Sequence, residues 1–222
     1  MPSSDGKATA ADYTDLMLGE VYAVTWAEGL TPDAVLDRWR VRRRLGRHTW
    51  PEANWADLPG VRRDEAVVAV TVAGGWALVF EEMSSYDDAP LRRLSASTRV
   101  VSNYHNFEAD DRFVIFQDGV IEVDFDPNTP TMRTGRRPDM LVPEMNAAGL
   151  DMSGLYLDPA DPGYRDVPYD AAALALTERL TGVRLTDELL HSSSYLAATV
   201  ESPLGGAVIN EEEPRVQASG PG

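Results

Sequence analysis

The sequence predicts an α+β fold with a mainly antiparallel sheet of about five to six strands, packed against N- and C-terminal helices. A helix start stands out at Thr31-Pro32, because threonine can cap free backbone N–H groups and proline suits the first helical position. Runs of β-branched and aromatic residues separated by turn residues then fill much of 65–125. After Pro127 the pattern becomes helical. Strands followed by helices are typical of the α+β class.

The individual elements follow from the same signals. Strands rich in β-branched and aromatic residues are predicted at 21–27, 67–72, 76–82, 99–107 and 111–125, and the last two ranges hold at least three strands. Gly74-Gly75 predicts a hairpin turn between the second and third strands. Helices are predicted at 32–44, 88–95, 138–149, 170–180 and 186–200, mostly from capping residues and from the glycines and prolines that end them.

A single domain is predicted at 12–200, between a flexible N-terminal arm (1–11) and a disordered acidic, Gly/Pro-containing tail (201–222). The chain has 222 residues and is 43% hydrophobic, which suffices for one domain with a substantial core. The arm lacks the basic-then-apolar order of a signal peptide, and no apolar run approaches about 20 residues. We therefore expect a cytoplasmic protein.

The charge balance limits the partners. Lys and Arg number 20 against 36 Asp and Glu, a formal net charge of −16. Such a field repels nucleic acid and anionic lipid, so neither is expected to bind. It attracts a basic protein, although an acidic surface also serves solubility. Cysteine is absent, which excludes disulfides, thiolate nucleophiles and zinc–cysteine sites, and no cofactor is predicted.

An acidic row is the most regular feature of the chain. Between Gly119 and Pro127 apolar and acidic residues alternate, so Glu122, Asp124 and Asp126 should share one face of a strand. A two-residue turn at 118–119 would mix apolar and charged side chains on both faces. A three-residue loop at 117–119 with a bulge at Gly119 separates them. We therefore predict the three-residue loop.

In that register the apolar face comprises Phe113, Ile115, Ile121, Val123 and Phe125. Arg112 joins the acidic face directly opposite Asp124. Three interpretations of this face remain: a solvated side of the sheet, a protein-binding surface, or a metal or catalytic site. Alternate residues on a strand stand about 6–7 Å apart, whereas a hard cation needs several oxygens within about 2.6 Å. An outward-facing surface is therefore the preferred interpretation.

Two hypotheses for function follow. The preferred one is a non-catalytic interaction protein, an immunity-type inhibitor or a regulatory accessory factor, which binds a basic protein through this face. The residues expected to bind the partner are Glu108, Asp110, Asp111, Arg112, Glu122, Asp124 and Asp126. The alternative is an enzyme, with a divalent cation as an option, whose pocket uses Asn103, His105 and the carboxylates of 108–111. The sequence assigns no catalytic residue and no metal ligand.

Two other motifs carry weak signals. None of His48, His105 and His191 shows the H-x-x-x-H spacing of a zinc site, and the serines after His191 lack a nucleophile motif. Gly135-Arg136-Arg137-Pro138 is a basic turn ahead of a predicted helix. It could hold an anion at the helix N-terminus, but we expect a solvated loop.

Five segments of the chain resemble a known family: 24–36, 75–79, 93–98, 124–127 and 180–186. They are similar to the uncharacterised actinobacterial family DUF6461, and the resemblance extends from about Asp12 to Leu190. It implies an actinobacterial host and a single domain. Since no activity is established for that family, the resemblance implies no catalytic residues.

Overall fold

The computed structural model describes residues 7–16, 18–19, 21–51, 54–81, 88–106, 110–154 and 168–202. Its strands are β1 (Tyr22–Glu28), β2 (Arg43–His48), β3 (Glu65–Ala73), β4 (Trp76–Glu81), β5 (Arg99–His105), β6 (Arg112–Gln117), β7 (Val120–Phe125) and β8 (Tyr195–Glu201). Its helices are α1 (Pro32–Trp39), α2 (Asp88–Leu94), α3 (Val142–Ala148), α4 (Tyr169–Thr181) and α5 (Asp187–Ser192). The strands form one eight-stranded sheet in the order β2-β8-β3-β4-β1-β5-β6-β7, and every neighbouring pair is antiparallel.

The α+β class and the antiparallel sheet are confirmed, whereas the predicted count of five to six strands is wrong. The missing strands are β2 and β8. β2 is rich in arginine and exposed along most of its length, so it has no apolar alternation, and the predicted helix α1 had extended into its first two residues. The helix instead ends at Arg40, which adopts a left-handed conformation with φ 64°.

Strand β8 was predicted as the end of a helix, because its alanines and leucine suit helices as well as strands. In the structure α5 ends at Ser192, and Ser193 is already extended. β8 then lies between β2 and β3, where Ala197 and Ala198 are fully buried. Tertiary packing therefore overrides local propensity in this segment.

Helices cover both faces of the sheet. On the face that we call the α4 face, α3, α4 and α5 pack on large side chains such as Trp26 and Tyr195. On the opposite α1 face, α1 and α2 pack on smaller strand residues such as Val70 and Val79. The predicted helix start is confirmed, since Thr31 Oγ1 accepts a hydrogen bond from the Ala34 N–H at 3.2 Å.

Part of the predicted N-terminal arm lies on α4. Ala8 is 2% exposed, and its carbonyl oxygen accepts a hydrogen bond from Arg179 Nη1 at 3.2 Å. Tyr13 Oη donates to Glu178 Oε2 at 2.9 Å on the same helix. The limits of the domain remain a prediction. Among the described helices none is long and apolar enough to span a membrane.

The β6–β7 hairpin differs from its prediction in two compensating ways. Its turn has two residues, Asp118 and Gly119, both with positive φ (52° and 79°), and Gln117 pairs with Val120. The register then shifts at Glu122, which is the extra residue of a β-bulge. We expected one irregularity at the turn, whereas the structure places it within the strand.

The bulge reverses the direction of every side chain that follows it. Beyond it Phe113 pairs with Phe125, and their rings stack on the α4 face with centroids 4.9 Å apart. The predicted apolar face is therefore correct at four of its five positions. Ile121, which precedes the bulge, packs on the α1 face instead. Asp124 pairs with Val114 rather than with Arg112, so the predicted register was off by two residues.

Glu122 is buried, which contradicts the prediction that it faces solvent. Its side chain is 1% exposed, and its carboxylate accepts hydrogen bonds from Arg136 Nη2 and from Arg137 Nε, the latter at 2.7 Å. Burial alone would raise the pKa of Glu122, but the two guanidinium groups lower it below its usual value. The basic turn 135–137 does bind an anion, and that anion is the chain's own carboxylate.

The same basic turn covers the edge of β7. The N–H groups of Arg136 and Arg137 donate to the carbonyls of Ile121 and Glu122 at 3.0 and 2.9 Å. Gly135 is required there, because its φ is 111° and an added Cβ would lie 2.5 Å from the Glu122 carbonyl oxygen. The bulge, the glycine and the two arginines therefore form one unit, which we call the Glu122 clamp.

We predict that Glu122→Gln lowers the free energy of unfolding by about 1–3 kcal/mol at neutral pH, since it weakens two charge-assisted hydrogen bonds to a buried group. The lowered pKa means that the stabilisation is present above the unfolded value of 4.5 and disappears as the pH falls through the folded value. Urea unfolding at neutral pH and at a pH below the folded-state pKa of Glu122 measures this loss of stability. Glu188→Gln, at an exposed position, serves as the control. An equal loss of stability in acid would contradict the prediction.

Candidate functional site

The other two residues of the predicted acidic row, Asp124 and Asp126, also form hydrogen bonds within the chain. Asp124 receives a bidentate pair from Arg112, with Nε to Oδ1 at 2.9 Å and Nη2 to Oδ2 at 2.7 Å. Arg112 Nη1 also donates to Asp88 at 2.9 Å. The predicted contact between Arg112 and Asp124 therefore exists, although it runs diagonally across the strands. Asp126 accepts from the backbone N–H and the amide of Asn128 at 2.7 and 3.0 Å.

These contacts change the character of the surface that we expected to bind a partner. Glu122 and Asp111 are buried, Asp124 is tied to Arg112, and Asp126 is tied to a turn. Asp110 is exposed, and Glu108 lies outside the described residues. The carboxylates therefore do not form one continuous outward-facing row. The role of these residues in partner binding remains a prediction.

Asn103 and His105 share the α4 face of β5, but only His105 reaches the end of the sheet. Asn103 is 3% exposed, and its Nδ2 donates to Thr177 Oγ1 at 2.7 Å and to the Ala173 carbonyl at 3.3 Å. These bonds fasten β5 to α4. Asn103 is thus buried beneath a helix, and not beside His105 in an open pocket as the enzyme hypothesis expected.

His105 and Asp111 form the most suggestive pair in the described structure. His105 Nδ1 lies 2.9 Å from Asp111 Oδ1. Because an ionised carboxylate only accepts hydrogen bonds, Nδ1 carries the hydrogen and donates it. The His105 side chain is 27% exposed and that of Asp111 only 4%. A buried carboxylate therefore orients a partly exposed imidazole, and the pair joins two of the residues named by the enzyme hypothesis.

Asp111 is itself held on both of its oxygens. Oδ1 accepts a second hydrogen bond from the Asn106 backbone N–H at 3.2 Å, and Oδ2 accepts from Asn128 Nδ2 at 3.1 Å. Asn128 belongs to the turn that follows β7, so this network joins the ends of β5, β6 and β7. The carboxylate has little freedom to rotate away from the imidazole.

Tyr22 and Asp170 complete the site, and the sequence analysis assigned neither to it. Tyr22 begins β1 and pairs directly with His105, and the two rings lie 5.3 Å apart between centroids at an angle of 37°. Asp170 lies in the first turn of α4, the helix that we had predicted to begin at this residue. No sequence signal identified these two, because their proximity to His105 depends on the β1–β5 pairing and on where α4 packs.

The electrostatics of the site follow from these neighbours. The hydrogen bond to Asp111 raises the pKa of His105 above its usual value, against the effect of burial, and the Asp170 carboxylate raises it further. Burial, followed by the charges of Asp170 and Asp111, raises the pKa of the Tyr22 hydroxyl. Tyr22 therefore stays neutral, while His105 titrates above pH 6.5.

Glu81 lies at the same end of the sheet but on the opposite face. It ends β4 and pairs with Ala23 of β1, which places its side chain on the α1 face. Burial raises the pKa of Glu81 to about 8, so it is largely protonated at neutral pH. The sheet separates this carboxyl from His105. The two groups therefore do not belong to one site.

An imidazole with Nδ1 bound to a buried carboxylate can give or take a proton through Nε2. The ring can serve as a general base when neutral and as a general acid when charged. Within the described ranges no group of three or more His, Cys, Asp or Glu side chains could hold a metal ion.

We predict that Asp111→Asn lowers the pKa of His105 towards 6.5, because the amide no longer offers a charged acceptor to Nδ1. The raised pKa of His105 in the folded state stabilises the fold below pH 6.5, and this stabilisation disappears as the pH rises through the folded-state pKa. The variant should therefore lose more stability in mild acid than at about pH 9. NMR titration of the three imidazoles measures the shift. His191, whose Nδ1 contacts the backbone oxygen of Asp187, serves as the internal control. An unchanged midpoint for His105 would refute the role of Asp111.

Comparison with known proteins places the chain in a family. Residues 6–204 match the family of unknown function DUF6461, so the chain belongs to it. No curated protein and no solved structure matches the chain significantly. The family assignment agrees with the resemblance seen in the sequence, and it supplies no activity.

Proposed function

We propose that this member of DUF6461 binds a small polar ligand at the His105 end of its sheet and that His105 exchanges a proton with that ligand. The observation that carries the proposal is the 2.9 Å contact between His105 Nδ1 and the buried Asp111 carboxylate. The proposal favours the enzyme hypothesis over the non-catalytic one. It assigns proton transfer to His105 and orientation of the ring to Asp111.

Three features support this assignment. The carboxylate holds one nitrogen of the ring, which leaves Nε2 as the atom that a ligand can reach. Asp111 has hydrogen bonds on both oxygens, so the orientation of the ring is set before any ligand arrives. The hydrogen bond to Asp111, and after it the charge of Asp170, raises the pKa of His105 above its usual value, which makes the ring a stronger proton acceptor.

The competing structural explanation is that the His105–Asp111 pair only closes the end of the sheet. A structural pair would also be buried and hydrogen bonded. It would not need an imidazole that stays 27% exposed. Ligand binding distinguishes the two explanations, because a structural pair predicts none.

A thermal-shift screen of the full chain against small polar metabolites, with His105→Gln as the test variant, examines the proposal. We expect at least one class of ligand to raise the melting temperature of the wild type and to lose that effect in His105→Gln. His191→Gln is a matched control, since His191 is exposed at the end of α5. A screen in which every stabilising ligand acts equally on all three proteins would refute the proposal.

The interaction hypothesis remains a second proposal, and the distribution of charge favours it. The described residues contain 18 basic and 24 acidic side chains, a balance of 18 − 24 = −6. The remaining residues contain 2 basic and 12 acidic side chains, a balance of 2 − 12 = −10. More than half of the acidic surplus thus belongs to residues outside the described ranges. It would attract a basic protein, as an immunity-type inhibitor or regulatory accessory factor requires.

Affinity capture from the native host, followed by mass spectrometry, tests this second proposal. A basic partner should be retained at low salt and released as the salt is raised, because screening weakens contacts between exposed charges. A partner that is acidic, or whose retention does not depend on salt, would contradict it. This result is independent of the His105 screen, so the two proposals can fail separately.

A further inference from the structure

We propose that a water molecule is enclosed between α4 and the sheet, where it accepts a hydrogen bond from Trp26 Nε1 and donates one to Asn103 Oδ1. This internal binding site goes beyond the proposed function and uses other side chains. It depends neither on the contact between His105 and Asp111 nor on an external ligand. Failure of one inference therefore leaves the other standing.

Trp26 supplies the donor of the site. It lies in β1, is 1% exposed, and belongs to the core on the α4 face. Its Nε1–H can donate a hydrogen bond but cannot accept one. That nitrogen is buried, yet it has no hydrogen-bond partner among the described residues. Buried polar groups in folded proteins are nearly always hydrogen bonded, because an unpaired one costs desolvation energy. The indole therefore indicates an acceptor that the described residues do not provide.

Asn103 supplies the acceptor, and its contacts with α4 fix the orientation of its amide. Thr177 Oγ1 donates its own hydrogen to the Ala173 carbonyl at 3.0 Å, so it accepts from Asn103 Nδ2 at 2.7 Å. The second hydrogen of Nδ2 is donated to the Ala173 carbonyl at 3.3 Å. Both amide hydrogens are thus used by α4. The carbonyl oxygen Oδ1 remains, buried and without a donor among the described residues.

The pairing of β1 with β5 makes these two side chains neighbours. Trp26 pairs with Val101 and Val24 pairs with Asn103, so Trp26 and Asn103 lie diagonally across the two strands. Both are on the α4 face, and diagonal neighbours on one face are at most about 7–8 Å apart, within reach of an aromatic side chain. The two polar atoms do not bond to each other, since neither has a partner among the described residues. A water with two hydrogen bonds of about 2.9 Å can bridge the separation that remains.

Water fits the site in kind and in size. One neutral donor and one neutral acceptor match a molecule that both accepts and donates, and they offer no opposite charge to an ion. The helix that covers the site is closely packed on the sheet, since Ala173 is 4% exposed and Thr177 is fully buried. Folded proteins hold on the order of one buried water per 27 residues, bonded to polar groups that would otherwise be unsatisfied.

The water joins three elements of the fold at one point. Asn103 fastens β5 to α4 through its amide hydrogens, and the water adds β1 to this junction through Trp26. His105 follows Asn103 by two residues on the same face of β5. The water therefore helps to hold the strand that carries the imidazole, at a position next to the candidate site and covered by α4.

NMR of the indole N–H groups in the wild-type full chain tests the proposal. The chain has five tryptophans, and Trp26→Phe identifies the Trp26 resonance by its loss. We expect a cross-peak between the Trp26 indole hydrogen and water, with the sign that marks contact with a long-lived water and not exchange of the hydrogen with solvent. Trp39, on the opposite α1 face, is the internal control, because its Nε1 is not a buried atom without a partner. A Trp26 hydrogen that shows no such cross-peak would overturn the proposal.

A substitution at the acceptor tests whether Asn103 holds the same water. Asn103→Leu keeps the approximate shape of the side chain and removes Oδ1, so the Trp26 cross-peak should disappear. Asn128→Leu, which changes an amide bonded to Asp111, should leave it unchanged. A cross-peak that persists in Asn103→Leu would refute the bridge.

A high-resolution crystal structure of the wild type gives a second measurement that does not depend on the folding of any variant. We expect one ordered water within hydrogen-bonding distance of both Trp26 Nε1 and Asn103 Oδ1. A direct bond between the two side chains, or a separate water on each, would contradict the proposal. Each of these results is independent of the His105 ligand screen.

Discussion

Helices cover both faces of the eight-stranded sheet, and this removes water from several of the polar side chains that the strands carry. A polar group without water must find a partner within the protein, and a charged group must find an opposite charge or several hydrogen bonds. Thr25 and Ser102, on adjacent strands, satisfy each other with a hydrogen bond of 2.7 Å between their hydroxyl groups. The Glu122 clamp meets the same requirement with two arginines. Both arrangements place polar chemistry in the interior without leaving it reactive.

The constraint relaxes where the strands end, and there the structure builds a different kind of polar cluster. His105 is the last residue of β5 and Tyr22 is the first residue of β1, and the two are paired across these antiparallel strands. The imidazole keeps contact with solvent while Asp111 behind it is buried and hydrogen bonded. The Glu122 clamp has the same order, a buried carboxylate beside more exposed basic groups, but its basic groups are arginines, which stay charged at every accessible pH. The two arrangements therefore differ in the basic partner, because an imidazole can change its protonation state near neutral pH and a guanidinium cannot.

The sequence predicted the fold class and six of the eight strands because those strands carry apolar residues in a periodic pattern. It did not predict β2, whose arginines lie at an exposed sheet edge, or β8, whose alanines suit either structure until neighbouring strands select one. The bulge at Glu122 could not be predicted either. It depends on Gly135 and on the arginines beside it, which approach β7 from more than ten residues along the chain. Interactions of this range leave no periodic signal.

Only those parts of the candidate site that lie close together in the sequence were predictable. His105 and the carboxylates that follow it lie within a few residues, so sequence reasoning could group them as a polar pocket. Tyr22 and Asp170 come from a distant strand and helix, and only the pairing of β1 with β5 and the docking of α4 bring them near. The acidic row, by contrast, was conspicuous in the sequence because its members are local, and that regularity proved to reflect internal pairing. A regular local pattern therefore identified carboxylates that pair within the chain, whereas Asp170, which has no hydrogen bond or ion pair among the described residues, was identified only by what the fold places beside it.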